Sequence, residues 1–302
     1  MRESEVSEGF DLRPYLEQKR KLVDLELDAR IPAASVHPGL LHEAMRYSVF
    51  AGGKRLRPIL ALATAEALQV EAKRVLTLCC SLELIHTYSL IHDDLPAMDD
   101  DDYRRGELTC HRKYGEAVAI LAGNALMALA FELLSEEQEV NETVQVSVIR
   151  RLSAAVGSRG GLIAGQVVDL CTEGKAYTGE ELDFIHSFKT GALIEAAVTC
   201  AARLCGGSEA MKCLRTYAIS SGLAFQIVDD ILDIEGSSVE LGKTRGKDEA
   251  ERKATYPALY GLEESRRRVA ELIEGAVEVV EPLGPPARPL QEIARFIASR
   301  RY

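Results

Sequence analysis

The sequence predicts an all-α protein folded as one domain over residues 1–302. Three features point there. Apolar residues recur at three- and four-residue spacing through most long segments, clear period-two alternation is scarce, and the breaks fall on paired glycines and on prolines. A chain of 302 residues that is 47% hydrophobic can bury one large core or two smaller ones. No composition shift marks a domain boundary, and there is no fixed-period repeat or low-complexity tract.

In order, helices are expected at about 11–30, 38–51, 57–69, 73–95, 113–134, 141–157, 160–171, 179–203, 208–235, 254–281 and 288–300. Gly52-Gly53 separates the second from the third. Pro96 ends the fourth, because a proline disfavours helical backbone in the residue before it. The stretch Ala117 to Leu134 is apolar on nearly every face, which places it in a bundle interior or a subunit interface. Gly160-Gly161 and Gly206-Gly207 mark the next breaks. Lys189, Thr190 and Gly191 interrupt the otherwise apolar segment 179–203. A mid-helix glycine costs about 1 kcal/mol relative to alanine, so close packing or a bend is expected at Gly191. The stretch Glu235 to Tyr256, rich in Gly, Ser, Lys and Glu, reads as a surface flap and a candidate lid. The run Pro282 to Pro286 precedes the last helix.

A formal net charge of -11 argues against a general nucleic-acid binder, which needs a basic footprint. Such a protein can hold an anionic substrate only where Lys and Arg cluster or cations bind. The seven cysteines, Cys79, Cys80, Cys110, Cys171, Cys200, Cys205 and Cys213, form no CxxC pair and lie mostly in apolar stretches. They read as reduced, buried thiols of a cytosolic protein rather than a disulfide framework. Residues 1–20 lack an apolar signal core, and no uncharged apolar run nears the length of about 18 residues that spans a bilayer. A cytoplasmic location is expected.

Two acidic clusters carry the chemistry. The first, HDDLPAMDDDDYRRG at 92–106, closes a long apolar helix. Asp99 lies about 240° from Asp93 on an ideal helix, so only a bend at Pro96 can bring the two together. Carboxylates at a helix C-terminus oppose the macrodipole by roughly 0.3–1 kcal/mol each, a cost that a divalent cation relieves. The second cluster, DDILD at 229–233, puts Asp229 and Asp233 about 40° apart on one helical face. A lone acidic run is ordinarily a solvated face; two runs that each end an apolar helix suggest a cavity. The glycine and terminal glutamate of a calcium loop are missing, and hard oxygen donors without a His/Cys set favour Mg²⁺ over Zn²⁺.

Cations complete the pattern. Gly52-Gly53-Lys54-Arg55-Leu56-Arg57-Pro58 sets three cations beside a glycine turn at a helix start, a place suited to an anion. Arg104 and Arg105 follow the first acidic cluster directly, and Lys189 interrupts an apolar helix.

These segments resemble the trans-isoprenyl diphosphate synthases, and closely their bacterial farnesyl diphosphate synthase (geranyltranstransferase) type. The resemblance rests on GGKRLRP at 52–58, LELIHTYSLIHDDLPAMDDDDYRRG at 82–106, CHRKYGEAVAILAG at 110–123, GQVVDL at 165–170, KTGALIEAA at 189–197, FQIVDDILD at 225–233, GKTRGKD at 242–248 and KATYPAL at 253–259. It implies ten or more antiparallel helices around a deep central cavity, usually in a homodimer. It implies Asp93, Asp99 and Asp229 as magnesium ligands supported by Asp94 and Asp233, three Mg²⁺ ions with substrate bound, and Mn²⁺ as a substitute. Arg104, Lys189, Thr190, Gln226 and Lys243 match groups on the allylic diphosphate, and Lys253 a further diphosphate-binding lysine. Lys54, Arg57, His86 and Arg105 match the isopentenyl diphosphate site. His86 lies about 20° from Asp93 in helical projection, which suits that role. Asp93, Asp94, Asp99, Arg104, Lys189 and Asp229 are thus the expected catalytic set, and no protein nucleophile is implied.

The implied reaction ionises the allylic diphosphate, condenses the cation with isopentenyl diphosphate and loses a proton. In the family a bulky aromatic five residues before the first aspartate limits product length; here Tyr88 and Ser89 are the candidate length residues, and farnesyl diphosphate is the expected product. Geranyl and geranylgeranyl diphosphates are the alternatives within the family. A class I terpene cyclase and a non-catalytic regulatory subunit are the rivals outside it, and GGKRLRP with both acidic clusters counts against them. Asn124 stands where the family usually has Asp, in what reads as a buried helix, and Ala164 precedes Gly165-Gln166 where it often has Gly.

Overall fold

Asp11 begins the first helix by accepting the Arg13 N–H at 3.1 Å, an N-cap that satisfies one of the orphan amides. The computed structural model describes residues 10–136, 140–235 and 254–300. Helix α1 runs Leu12–Arg30, α2 Gly39–Phe50, α3 Leu56–Ala67 and α4 Leu76–Asp93. A short hairpin pairs Tyr103 with Leu108 and Arg104 with Glu107. There follow α5 Cys110–Tyr114, α6 Glu116–Ser135, α7 Glu142–Val156, α8 Leu162–Thr172 and α9 Gly179–Ile185. A π-helical turn, His186–Gly191, leads into α10 Ala192–Leu204 and α11 Met211–Glu235. After the undescribed stretch come α12 Tyr256–Tyr260, α13 Leu262–Val280 and α14 Arg288–Ser299. The protein is all-α, as its periodicity predicts.

Helices α3 and α10 are buried on nearly every side because they serve two apolar clusters at once. Ala61, Leu62, Leu193 and Ala197 face a cluster built with α1, α2, α4, α6 and α7. Ile59, Leu60, Ile194 and Val198 face a second, built with α11, α13 and α14. The site described below lies where α4 of the first cluster and α11 of the second both reach the pocket beside α3.

Four expectations need correction. Segments 113–134 and 254–281 are each divided, at Gly115 (φ 84°) and Gly261 (φ 85°), left-handed positions that glycine takes without a Cβ penalty. Segment 179–203 is interrupted by the π turn. The hairpin strands are two residues each, too short to show alternation. Helix α6 is not enclosed: Ile120 is 43% and Leu121 58% exposed, and Asn124 is exposed beside them rather than buried. By length and hydropathy two helices, 72–93 and 116–135, would suffice to cross a membrane, although charged residues interrupt both; the first is mostly enclosed by the core. All seven cysteines are free; Cys79, Cys80, Cys110 and Cys200 are buried and Cys171 is exposed.

Candidate active site

The Gly52-Gly53 break has φ of 102° and 126°. A Cβ on Gly53 would stand 2.6 Å from the Arg105 guanidinium, so the glycine admits that arginine. Arg105 donates to the Gly52 carbonyl. Arg55, Asp100 and Arg105 are three of the four described non-glycine residues with positive φ (50°, 50° and 56°), and all three flank this site. The three cations of the glycine turn then part company. Arg55 is buried, donating to Glu83 at 2.7 Å, Asp24 at 2.8 Å and the Val49 carbonyl at 2.7 Å. Lys54 and Arg57 face a cavity of about 1060 Å³, joined by His86, Arg105, Phe225 and Asp229. The four residues expected at the isopentenyl diphosphate site thus line one pocket.

The field in this pocket is inverted against the acidic chain. Burial, then the charges of Arg57, Arg105 and Arg104, hold the His86 imidazole well below its usual range, hence neutral. Burial and then Arg300 also lower Lys54, against the pull of Asp229. The Arg57 Nε is buried without a partner among the described residues. Orphaned donors and crowded cations are what a diphosphate would satisfy. Sequence reasoning missed Arg300 at the chain's end, which donates to Asp229 at 2.9 Å and covers the Phe225 ring at 3.9 Å.

The acidic wall stands at the end of α4. Asp94 caps the helix, and the next loop folds back: the Asp99 N–H donates to the Asp93 carbonyl at 2.8 Å and the Asp101 N–H to the Asp94 carbonyl at 3.2 Å. Asp99 therefore returns beside Asp93 through a turn, where a continuous helix could not have put it. Asp94 is buried and receives the Arg104 Nε at 2.6 Å, with Asp101 3.6 Å from the same guanidinium. This pair fixes Arg104 rather than leaving Asp94 turned to the cavity. Burial raises the Asp93 carboxyl to about 6; Asp99 and Asp94 push the same way, Lys189 and Arg104 the other.

The third wall is the π turn. A Cβ on Gly165 would lie 2.2 Å from the Lys189 backbone nitrogen, so α8 touches the turn directly. Lys189 pairs with Asp169. Burial opposes its charge, but Asp169, Asp93 and Asp99 outweigh that and raise its pKa. Thr190 donates to Gln226 Oε1 at 2.7 Å. Asp169 and Gln166 were not singled out from sequence, though both stand in the GQVVDL segment three residues apart, on one helical face. Both amide atoms of buried Gln166 lack a partner among the described residues.

Among the described residues no three carboxylate, His or Cys side chains converge as a ready-made metal cage. The donor set still fits a hard cation, since the partly buried carboxylate of Asp93 feels those of Asp99 and Asp94 close by. Mg²⁺ keeps several waters and is held by one or two carboxylates together with substrate phosphates, so an all-protein cage is not required. Asp233 lies one turn beyond Asp229 on α11. Lys243 and Lys253 lie outside the described residues, as do residues 236–253 of the flap expected from Glu235 to Tyr256.

Tyr88 is 5% exposed, meets His92 edge-to-ring at 5.6 Å and has a buried hydroxyl without a partner. Burial, reinforced by nearby Asp93, pushes it up to about 12. Ser89 spends its hydroxyl on the His86 carbonyl at 2.9 Å.

A helical shell that opens a cation-lined pocket beside a folded-back acidic wall defines a class of protein that handles organic diphosphates. Residues 38–282 match the polyprenyl synthetase family. The chain is 47% identical over 296 residues to a dimethylallyltranstransferase of Fischerella ambigua (strain UTEX 1903), covering 97% of this chain and 85% of that protein. It is also 47% identical over 295 residues to a geranylgeranyl diphosphate synthase of Cyanophora paradoxa, covering 97% of each. The crystal structure of an FPP/GFPP synthase from Zymomonas mobilis superposes with a TM-score of 0.84 at 36% identity, covering 95% of this chain and 99% of that one. The chain belongs to the polyprenyl synthetase family of trans-isoprenyl diphosphate synthases and is a prenyltransferase.

Proposed function

We propose that the protein condenses isopentenyl diphosphate head-to-tail with dimethylallyl and geranyl diphosphates to give (2E,6E)-farnesyl diphosphate, as a Mg²⁺-dependent, cytoplasmic homodimer. The observation that carries the condensation is the single cavity holding Lys54, Arg57, His86 and Arg105, with Asp229 on its rim. In this reading those four bind the diphosphate of isopentenyl diphosphate. Neutral His86 can donate a hydrogen bond without adding charge. Arg104, held by Asp94, and Lys189, held by Asp169, supply preorganised positive charge where the allylic C–O bond breaks. The Thr190–Gln226 pair borders the same substrate. A new C–C bond then forms from the isopentenyl double bond, and the proton lost from the product leaves with the departed diphosphate. Bound Mg²⁺, held by Asp93, Asp99 and Asp229 with Asp94 and Asp233 behind them, supplies charge neutralisation and a template for the leaving group. The apolar walls keep water from the cation.

Buried Tyr88, five residues before Asp93 and pressed on His92, supports a stop near fifteen carbons. Geranylgeranyl diphosphate is the second reading, favoured by the name of the Cyanophora paradoxa relative. Purified protein incubated with Mg²⁺, isopentenyl diphosphate and dimethylallyl diphosphate should yield farnesyl diphosphate by mass analysis, and chelation with EDTA should stop the reaction. A C20 main product would replace the farnesyl assignment, and no condensation would defeat the reading. Tyr88→Ala should shift the main product to C20 or longer. An unchanged product would remove Tyr88 as the stop.

A further inference from the structure

The middle carboxylate of the DDILD run does not face the cavity. Asp230 is 4% exposed and three donors surround it. Its Oδ1 accepts the Gln226 amide at 3.0 Å; its Oδ2 accepts the Tyr256 N–H at 2.8 Å and lies 3.1 Å from His186 Nε2. His186 is 1% exposed and lies parallel to the Tyr256 ring at 6.3 Å. Its Nδ1 has no partner among the described residues, where the bond from Nε2 to Asp230 sets the ring's orientation.

His186 is the first residue of the π turn, and Thr190 lies four residues on within it. One carboxylate on α11 therefore grips the turn at two points: directly at His186, and at Thr190 through Gln226. The backbone is pressed from both sides as well. A Cβ on Gly165 would strike Lys189 N at 2.2 Å, and one on Gly222 would meet Gly191 Cα at 3.4 Å. A π turn is rare and carries one residue more than the α-helix that would replace it. Relaxation to a regular helix would rotate the residues of the turn by about 100° relative to the flanking helix. Lys189 would then leave Asp169, and Thr190 would leave Gln226.

We propose that Asp230 and His186 are positioning residues that hold the π turn in register, so that Lys189 and Thr190 are presented to the allylic diphosphate. Neither touches substrate. The inference rests on the reading of Lys189 and Thr190 given under Proposed function.

The test uses the full chain and varies the allylic and isopentenyl substrates separately. His186→Leu removes the N–H and keeps the bulk, His186→Gln restores a donor, and Asp230→Asn removes the charge at constant size. Losing a hydrogen bond to a charged acceptor should raise the allylic KM by about tenfold in His186→Leu and in Asp230→Asn, with the isopentenyl KM within about twofold. His186→Gln should return to within about threefold of wild type. The double variant His186→Leu/Asp230→Asn should be no worse than the poorer single one, because the two act through each other. The proposal is overturned by an unchanged allylic KM in the folded single variants, by both KM values rising together, or by additive losses in the double variant. Should His186→Leu not fold, Asp230→Asn alone decides by the same split of KM values. A wild-type protein without prenyl transfer would instead defeat the proposed function, so the two failures are distinct.

Discussion

Asp93→Asn is expected to lower turnover by about a thousandfold or more while leaving the fold intact. Three decades correspond to about 4 kcal/mol of transition-state stabilisation, the several kcal/mol that a metal's neutralisation of a departing diphosphate supplies. The same substitution should not destabilise the protein. Loss of water raises the partly buried Asp93 carboxyl to about 6, and the attraction of Lys189 and Arg104, opposed by Asp99 and Asp94, does not offset that cost. An amide of the same shape removes the desolvation cost of the charge. That cost is one a bound cation would relieve, which makes the trade-off measurable. Thermal melting of the wild type should rise on addition of MgCl₂ with a diphosphate, and that increment should shrink in Asp93→Asn while the ligand-free melting temperature holds or rises. Near-normal turnover, or a large loss of ligand-free stability, would show that Asp93 is not a metal ligand. Asp229→Asn should lose turnover comparably, but its ligand-free behaviour should differ. Asp229 already accepts a hydrogen bond from Arg300 at 2.9 Å, so removing its charge leaves that arginine with less to bind.

Much of this was legible in the sequence, for identifiable reasons. Helices were readable because 3.6-residue periodicity survives wherever one face packs on a core, as in α11, α13 and α14. It fails at Gly115, Gly261 and the π turn, where one residue's backbone angle or one extra residue resets the phase without altering composition. The cation cluster was readable as three charges beside a glycine turn, but not which charge does what. Arg55 faces inward because α4 offers Glu83, a partner 28 residues distant in the chain. The acidic residues were readable as donors, yet Asp94 and Asp230 turn into the protein to hold Arg104 and His186, since a carboxylate's direction depends on what packs behind it. Helix α6 read by composition as a helix of a bundle interior or of a subunit interface. Its exposed face, with Ile120, Leu121 and Asn124, is left uncovered by the described residues, and sequence cannot distinguish a face buried by one's own core from one left for a second copy.

The floor under the cation pocket should prove as demanding as the acidic wall is costly. Glu83 and Arg55 are each 2% exposed by side chain and meet at 2.7 Å. Two other features set the size of the effect, in opposite directions. Glu83 also acts on Arg57 and Arg105 through space, so it offsets the mutual repulsion of three guanidinium groups. Arg55 keeps Asp24 at 2.8 Å and the Val49 and Gly52 carbonyls if Glu83 is lost, so its loss is partial rather than complete. Glu83→Gln, which preserves volume and leaves no cavity, should therefore cost about 3 kcal/mol, the lower end for breaking a buried pair from one side. In a chain of this size that is a fall of roughly 5 °C in melting temperature. Arg55→Met, which takes away the buried cation instead, should relieve part of the loss in the Glu83→Gln background, whereas two independent packing defects would add. Urea unfolding of the two single variants and the double variant measures this directly. A Glu83→Gln cost below about 1 kcal/mol would mean the pair is compensated by water or by Asp24, and the pocket's cations would then need no anionic floor to stay together.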